Sequence, residues 1–139
     1  GYIKQKYRNK KQKMLPPEKY QAEDGTIILV GKNNLQNEQV SFKLSRRGDL
    51  WFHVKDIPGS HVLITGNANP SDETITFAGE LAAYFSKARY SNLVQVDVLD
   101  VKKLHKPTGT APGFVTYDRE KTIRVTPDES VIKSRKIGK

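Results

Sequence analysis

The chain has 139 residues, 36% of them hydrophobic, a formal net charge of +9 and no cysteine. This length suits one ordinary domain, and the apolar content is enough for one core, which excludes wholesale disorder. The lack of cysteine excludes disulfides and thiolate metal sites. No apolar run approaches the roughly 20 residues that span a bilayer, so we expect no membrane partner. The start is polar and basic, unlike a signal peptide, and lacks Met, so we expect a fragment of a longer protein.

The positive charge is concentrated at the two ends of the chain. Residues 1–19 contain seven Lys or Arg and one Glu, and residues 133–139 contain four Lys or Arg and no acidic residue. Residues 20–132 contain thirteen basic and fourteen acidic residues, so this part is nearly neutral. The total charge is therefore weak support for a nucleic-acid partner, and a binding site on the domain must depend on local clustering.

A domain boundary is predicted at Leu15-Pro16-Pro17, because proline lacks the amide N–H and restricts the residue before it. Residues 1–14 fit either a helix continuing from upstream or a disordered segment. The predicted organisation is a basic N-terminal segment over 1–17, a folded domain over 18–132 and a basic tail over 133–139.

The first part of the domain predicts a hairpin followed by an ambiguous segment. Asp24-Gly25 suits a tight turn between short strands at 20–23 and 26–30. Residues 34–44 fit both a helical and an alternating pattern. We favour a short helix there, with a strand as the competing interpretation.

A second hairpin is predicted from strands at 50–55 and 61–65. Pro58 and Gly59 suit the central positions of a type II turn, so we expect Gly59 at positive φ. Alternation places two sets of side chains on opposite faces of the first of these strands. One face carries Leu50, Phe52 and Val54, and the other carries Trp51, His53 and Lys55.

A long helix is predicted over 73–90, with Ser71 as its N-cap and Asn92 as its stop. A strand over 93–103 follows, and then a further hairpin from 114–117 and 122–125. A capping box at Thr126-Pro127-Asp128-Glu129 predicts a short last helix. The fold class is therefore α+β, a mainly antiparallel β-sheet with one long helix packed on it and short flanking helices.

Metal binding and hydrolysis have little support in the sequence. His53, His61 and His105 form none of the short His-x-His or His-x-x-x-His pairs that suit zinc. Asp56, Ser60 and His61 are close in sequence, but adjacent Ser and His on a strand point to opposite faces. No G-x-S-x-G elbow is present either. We expect no catalytic residue, no metal site and no cofactor.

Candidates for contact with RNA are more numerous. Trp51 and His53 offer flat rings for stacking on unpaired bases, and Lys55 on the same face offers a cation for phosphate. Further attraction to phosphate is expected from residues before this strand and around a mobile loop at 107–113, namely Arg46, Arg47, Lys102, Lys103, His105 and Lys106. Spacing alone fits equally well a buried Trp51 with solvated lysines at the edge of the sheet.

Four blocks resemble a known family. Residues 31–38 (GKNNLQNE) and 49–62 (DLWFHVKDIPGSHV) are similar to the signature of the NFACT-R domain of the NFACT family. Residues 84–89 (YFSKAR) and 106–115 (KPTGTAPGFV) resemble its later blocks. The resemblance covers about residues 18–127.

The resemblance implies an RNA-binding domain of a ribosome quality-control factor, with tRNA and the large ribosomal subunit as partners. Family members bind obstructed large subunits that carry a stalled peptidyl-tRNA, and bacterial members recruit alanyl-tRNA and promote C-terminal alanine tails. The expected location is cytoplasmic and ribosome-associated. The expected role is binding without catalysis, and tailing is not expected from this chain alone, since the family's other domains, including a coiled coil before residue 1, are absent from it.

The alternative hypothesis is a cell-surface adhesin module that binds fibronectin, because some bacterial members of the family carry that name. No signal peptide or wall-anchor sequence is visible in the 139 residues.

Overall fold

The computed structural model describes residues 15–138, and within them seven strands form one antiparallel sheet. The strands are β1 (Glu18–Gln21), β2 (Ile27–Val30), β3 (Leu50–Val54), β4 (Val62–Thr65), β5 (Val94–Asp100), β6 (Lys121–Val125) and β7 (Lys136–Ile137). Their order across the sheet is β6-β5-β3-β4-β2-β1-β7. The predicted helix or disorder at 1–14 lies outside the described residues.

Helical segments connect the strands. They are α1 (Asn34–Glu38), which continues into a π-helical turn (Gln39–Lys43), α2 (Asp72–Tyr84), a 3₁₀ turn (Val101–Lys103) and α3 (Glu129–Ser134). The α+β class with an antiparallel sheet is confirmed. No helix among residues 15–138 is long and apolar enough to cross a membrane.

Both early hairpins and the helical interpretation of residues 34–44 are confirmed. β1 pairs with β2 and β3 pairs with β4, both antiparallel. The N-cap of α1 is Asn33, whose side chain accepts a hydrogen bond from the Gln36 amide. Val40 in the π-helical turn is fully buried against the sheet, which explains the alternating apolar signal in this segment.

The two faces of the sheet carry separate apolar cores. The helix face packs Phe52, Val54 and other strand residues against α2 and α3. The opposite face, which we name the loop face, packs Trp51 and Leu63 beneath the π-helical turn and the segment 104–117. Each large side chain buried in this way contributes about 1.5–3 kcal/mol to folding. The predicted division of β3 into two faces is confirmed.

α2 begins where predicted but is shorter. Ser71 is its N-cap, since its side chain accepts a hydrogen bond from the Thr74 amide. The helix ends at Tyr84, not Tyr90, because the next carbonyl, that of Phe85, accepts a hydrogen bond from the Ser60 amide at 3.0 Å. Ser86 then pairs with Gly59 in an isolated bridge. The helical periodicity continues past this point, but a contact from the β3–β4 turn ends the helix.

The predicted third hairpin is wrong. Residues 114–117 form no strand, and Thr116 exchanges both backbone hydrogen bonds with His105 at 2.8 and 2.9 Å. β6 pairs instead with β5. Backbone pairing with the earlier segment therefore takes the place of a local hairpin.

The cap of α3 differs from expectation. Asp128 is the N-cap and accepts from the amides of Ser130 and Val131, whereas Thr126 accepts from the Leu93 amide. Residues 133–139, predicted as a basic tail, include the end of α3 and β7, which pairs with β1.

Gly59 does not adopt the positive φ that a type II turn requires, so this turn assignment is wrong. The positive φ in the turn lies at Asp56, at 62°. A glycine is needed at position 59 because neighbouring side chains leave no room for a Cβ. A Cβ at Gly59 would lie 2.9 Å from Val54 Cγ1 and 3.0 Å from Ser86 Cβ.

We expect Gly59→Ala to lower the free energy of unfolding by about 1–3 kcal/mol, the usual cost of overpacking. Urea denaturation measures it. In a Val54→Ala background one of the two close contacts is removed, so the further cost of Gly59→Ala should be smaller. Equal costs in both backgrounds would contradict the steric explanation.

Candidate nucleic-acid interface

Two pairs of exposed cations, which are far apart in the sequence, lie at one end of the sheet. Arg46 and Arg47 precede β3, while Lys102 and Lys103 form the turn after β5, and β3 and β5 are neighbours. Asp49 connects the two segments, because its carbonyl accepts from the Val101 amide and its carboxylate accepts from the Arg46 amide, both at 2.9 Å. We name this set the basic patch: Arg46, Arg47, Lys102 and Lys103.

Lys55 is not a free cation on its face of the sheet. Its Nζ lies 2.8 Å from Asp97 Oδ1 and 3.2 Å from Glu120 Oε2. The hydrogen bond to Asp97 is the main cause of a raised Lys55 pKa. Asp97 is buried, so Lys55 compensates a charge that would otherwise be unpaired. The contact of Lys55 with phosphate stays a prediction, and it would have to share the ammonium group with these two carboxylates.

Lys106 has a similar internal role. Its Nζ lies 3.2 Å from Glu38 Oε1 and donates to the carbonyls of Ala111 and Phe114. Glu38 Oε1 also accepts from the Gly113 amide at 2.7 Å. The loop predicted as mobile is therefore anchored to α1, and neither Lys106 nor the Gly113 amide is available to a phosphate without breaking this anchor. His105 is exposed, and its backbone pairs with Thr116.

Trp51 is a core residue, as the competing interpretation held. Its side chain is 0% exposed, so it cannot stack on a base in this conformation. Its indole N–H donates to Ser41 Oγ at 2.8 Å, and Ser41 Oγ lies 2.7 Å from His61 Nδ1. Ser41 Oγ therefore joins the indole of Trp51 to the imidazole of His61 in one buried hydrogen-bonded chain.

Trp51 and His61 border an open cavity of about 460 Å³ on the loop face. We name it the aromatic cleft, and its lining includes Trp51, His53, Asp56, Pro58, His61, Gly113, Phe114 and Tyr117. His53 stacks on Trp51 at 5.8 Å between ring centroids and 8° between planes. Burial lowers the pKa of His53, so this ring is neutral near pH 7. Phe114 is 49% exposed.

Tyr117 is held in the cleft by its hydroxyl, which donates to Asp97 Oδ2 at 2.6 Å. Burial and this hydrogen bond raise the pKa of Tyr117. Asp97 therefore connects Tyr117 with Lys55 beneath the cleft. The hydrogen bond to Asp97 fixes the orientation of the Tyr117 side chain.

A second groove was missed by sequence reasoning. It has a volume of about 450 Å³ and is lined by parts of residues 31–37, 58–60 and 84–89. We name it the basic groove, after its cations Lys32, Lys87 and Arg89. Three of the blocks that resemble the NFACT family converge here. That clustering is a signal, but spacing in the sequence does not show that the blocks meet in space.

A third cavity has the opposite charge. It measures about 830 Å³, and the charged residues in its lining are five acids and one arginine. The acidic residues are Glu23, Asp24, Asp72, Glu73 and Glu80. Such a surface repels phosphate, so the basic patch, the aromatic cleft and the basic groove are the better candidates for an RNA surface. No group of three or more His, Asp or Glu that could hold a metal ion occurs in the part of the chain that the structure describes.

Comparison with known protein families shows which family this chain belongs to. Residues 18–116 match the family described as NFACT protein RNA binding domain. The chain belongs to the NFACT family. The matched span contains the basic patch, the aromatic cleft and the basic groove, apart from Tyr117 at its end.

Named relatives agree with this assignment. The chain is 66% identical to the Rqc2 homolog RqcH of Streptococcus suis, over 99% of this chain and 25% of that protein. It is 49% identical to the Rqc2 homolog RqcH of Bacillus subtilis, over 96% of this chain and 24% of that protein. Identity to ribosome quality control complex subunit 2 of Schizosaccharomyces pombe is 36%, over 63% of this chain and 9% of that protein. The chain thus spans about a quarter of the length of the bacterial relatives.

A solved structure has the same fold. It is the C-terminal part of the fibronectin/fibrinogen-binding protein from Streptococcus suis (FBPS), with a TM-score of 0.91 and 66% identity. The match covers 99% of this chain and 56% of that one.

We expect the NFACT-R domain to lose stability on mild acidification because of His61. Burial lowers its pKa from 6.5 to about 3. Below about pH 6.5 the unfolded chain therefore binds a proton that the folded chain does not, and stability falls by about 1.4 kcal/mol per pH unit. Urea denaturation at pH 7 and pH 5 should show a decrease of about 2 kcal/mol from this group.

Two variants control for other titrating groups. His61→Asn keeps a polar partner for Ser41 but removes the titration, so its stability should depend less on pH. His105→Gln is the control for loss of a histidine at an exposed position. A His61→Asn chain with the full pH dependence would contradict the assignment.

Proposed function

We propose that this chain is an RNA-binding module, without catalysis of its own, of a ribosome quality-control factor. The family description names RNA binding, and the relatives carry the names Rqc2 homolog RqcH and ribosome quality control complex subunit 2. Within the structure, the observation that carries the proposal is the basic patch. It gathers four exposed cations on a domain whose residues 20–132 are nearly neutral.

The patch has the chemistry of a phosphate-binding surface. Arg46 and Arg47 are adjacent in the chain, as are Lys102 and Lys103, and all four side chains are exposed. Neutralising phosphates with such cations releases condensed counterions, which supplies much of the affinity of proteins for nucleic acids. Lys55 and Lys106 support the surface indirectly by holding Asp97 and Glu38 in place.

The RNA partners, the process and the location concern the whole protein of which this chain covers a part. We propose tRNA and the large ribosomal subunit as the RNA partners, alanine tailing of stalled nascent chains as the process, and a cytoplasmic, ribosome-associated location. The chain spans about a quarter of the length of its bacterial relatives, and we propose that its own contribution to the process is RNA contact. Crosslinking the intact parent protein to RNA in cells, with contacts read at nucleotide level, tests which RNA is bound.

The fibronectin hypothesis has no comparable support from residues 15–138. The solved structure from Streptococcus suis carries that name, and the name is a statement about that protein. The test of this hypothesis is to measure binding of the chain to immobilised fibronectin in parallel with its binding to RNA. Fibronectin binding without RNA binding would overturn the proposal.

We expect Lys102→Ala/Lys103→Ala to weaken binding of the whole chain to single-stranded RNA and to lower its salt dependence. The slope of log K against log salt should decrease by roughly 0.7 for each phosphate that the variant no longer neutralises. Fluorescence anisotropy across a salt titration measures both quantities. The basic segment at 1–14 is the same in every variant, so its contribution cancels in the comparison.

The matched control is Lys121→Ala/Arg124→Ala, which removes the same charge from exposed positions on the edge strand β6. Its slope should change little. If the slope decreases equally in both double variants, the attraction depends on total charge and the basic patch is not the site.

A further inference from the structure

We propose that the aromatic cleft takes one unpaired base of the bound RNA, and that the basic groove beside it takes the phosphate backbone leading to that base. This inference rests on the proposed RNA-binding function and specifies how a nucleotide is held. It assigns a role to two surfaces that lie apart from the basic patch.

The cleft and the groove adjoin each other. Pro58 lines both cavities. Gly113 in the cleft lies against Asn34 in the groove, since a Cβ at Gly113 would be 3.0 Å from the Asn34 carbonyl oxygen. A nucleotide with its base in one cavity therefore places its phosphate near the other.

The lining of the cleft suits a base better than a phosphate. Three side chains present flat rings to the cleft: the half-exposed Phe114, His53 and Tyr117. Such rings can stack on any of the bases. His53 and His61 are neutral near pH 7, because burial lowers the pKa of both. Asp56 adds a carboxylate, which repels phosphate. The volume of about 460 Å³ lies within the range of small-ligand sites, roughly 300–1,000 Å³.

The lining of the basic groove has the complementary chemistry. It contains Lys32, Lys87 and Arg89, and its described lining residues include no Asp or Glu. Lys32 Nζ lies 4.2 Å above the Phe85 ring, and its ion pair with Glu18 is long, at 3.6 Å. Arg89 is positioned by its Nε, which donates to the Tyr84 carbonyl at 3.1 Å. Lys87 is exposed.

The cleft and the basic patch lie toward opposite ends of β3. The patch precedes Leu50, whereas Asp56 and Pro58 follow Val54. A strand of this length extends roughly 16 Å at about 3.3 Å per residue. An RNA of several nucleotides can therefore contact the patch and the cleft together, yet the two sites can be changed independently.

The test uses the whole chain and two labelled single-stranded RNA probes of about ten nucleotides. One probe carries uracil at every position, and the other has the same ribose-phosphate backbone without bases. Phe114→Ala should weaken binding of the uridine probe by roughly 5- to 100-fold, with an unchanged salt slope. It should leave binding of the abasic probe unchanged.

Matched variants separate the two parts of the site. Leu93→Ala removes a large apolar side chain that is 66% exposed and lines neither the cleft nor the groove, so it should change neither probe's affinity. Phe114→Trp retains a stacking ring and should preserve the affinity for uridine. Lys32→Ala/Lys87→Ala should weaken both probes and lower the salt slope of both.

Trp51 provides a direct readout, because it is the chain's single tryptophan and borders the cleft. The uridine probe should change its emission, and the abasic probe should not. Emission is measured in the wild-type chain, so this result does not depend on the folding of a variant.

The outcomes distinguish the two proposals. Equal affinity for both probes, unchanged Trp51 emission and no effect of Phe114→Ala would overturn the base site while leaving RNA binding in place. No binding of either probe at low salt would overturn the proposed function itself. Selective weakening of the uridine probe in Phe114→Ala, with rescue by Phe114→Trp, would support the base site.

Discussion

The loop face depends on one chain of buried hydrogen bonds from Trp51 through Ser41 to His61. It connects β3, the π-helical turn and the start of β4. The His61 amide also donates to Asn37 Oδ1 at 3.0 Å, which brings α1 into the same network. These hydrogen bonds offset part of the cost of removing the indole N–H, the Ser41 hydroxyl and the His61 amide from water, and they fix α1 against the sheet. The aromatic cleft exists because this arrangement holds the rings of Trp51 and His61 beside each other.

Two ion-pair groups extend this arrangement and decide which cations remain at the surface. Glu38 holds Lys106 and the Gly113 amide, so the 107–113 loop lies against α1. Asp97 holds Lys55 and Tyr117 beneath the cleft. Asp97 is buried, where an uncompensated carboxylate would be costly, so Lys55 compensates it. Lys106 pairs with the partly exposed Glu38. Among the described residues, the four cations of the basic patch are exposed and take part in neither of these groups.

Local patterns predicted much of the fold, and contacts between distant segments decided the rest. The faces of β3, the Ser71 cap and the turn at Asp24-Gly25 follow from alternation and side-chain chemistry within a few residues. The end of α2 could not be predicted, because the Phe85 carbonyl is taken by an amide from the β3–β4 turn. The same holds for Trp51 and Lys106, whose residue types suit RNA contact but whose partners come from elsewhere in the chain. Convergence of the basic patch required knowing that β3 and β5 are neighbours.

The blocks that resemble the NFACT family therefore contain two kinds of residue. Gly31 is required for packing, since a Cβ there would lie 2.3 Å from Asn37 Oδ1, and Trp51 and His61 are buried. Lys87 and Phe114 are exposed at the rims of adjoining cavities, where packing alone does not account for a cation or a large ring. A ligand with both a flat apolar part and an anionic part fits these two positions together. A nucleotide has that combination, and this match of chemistry supports the proposed base site, with the buried network as its support.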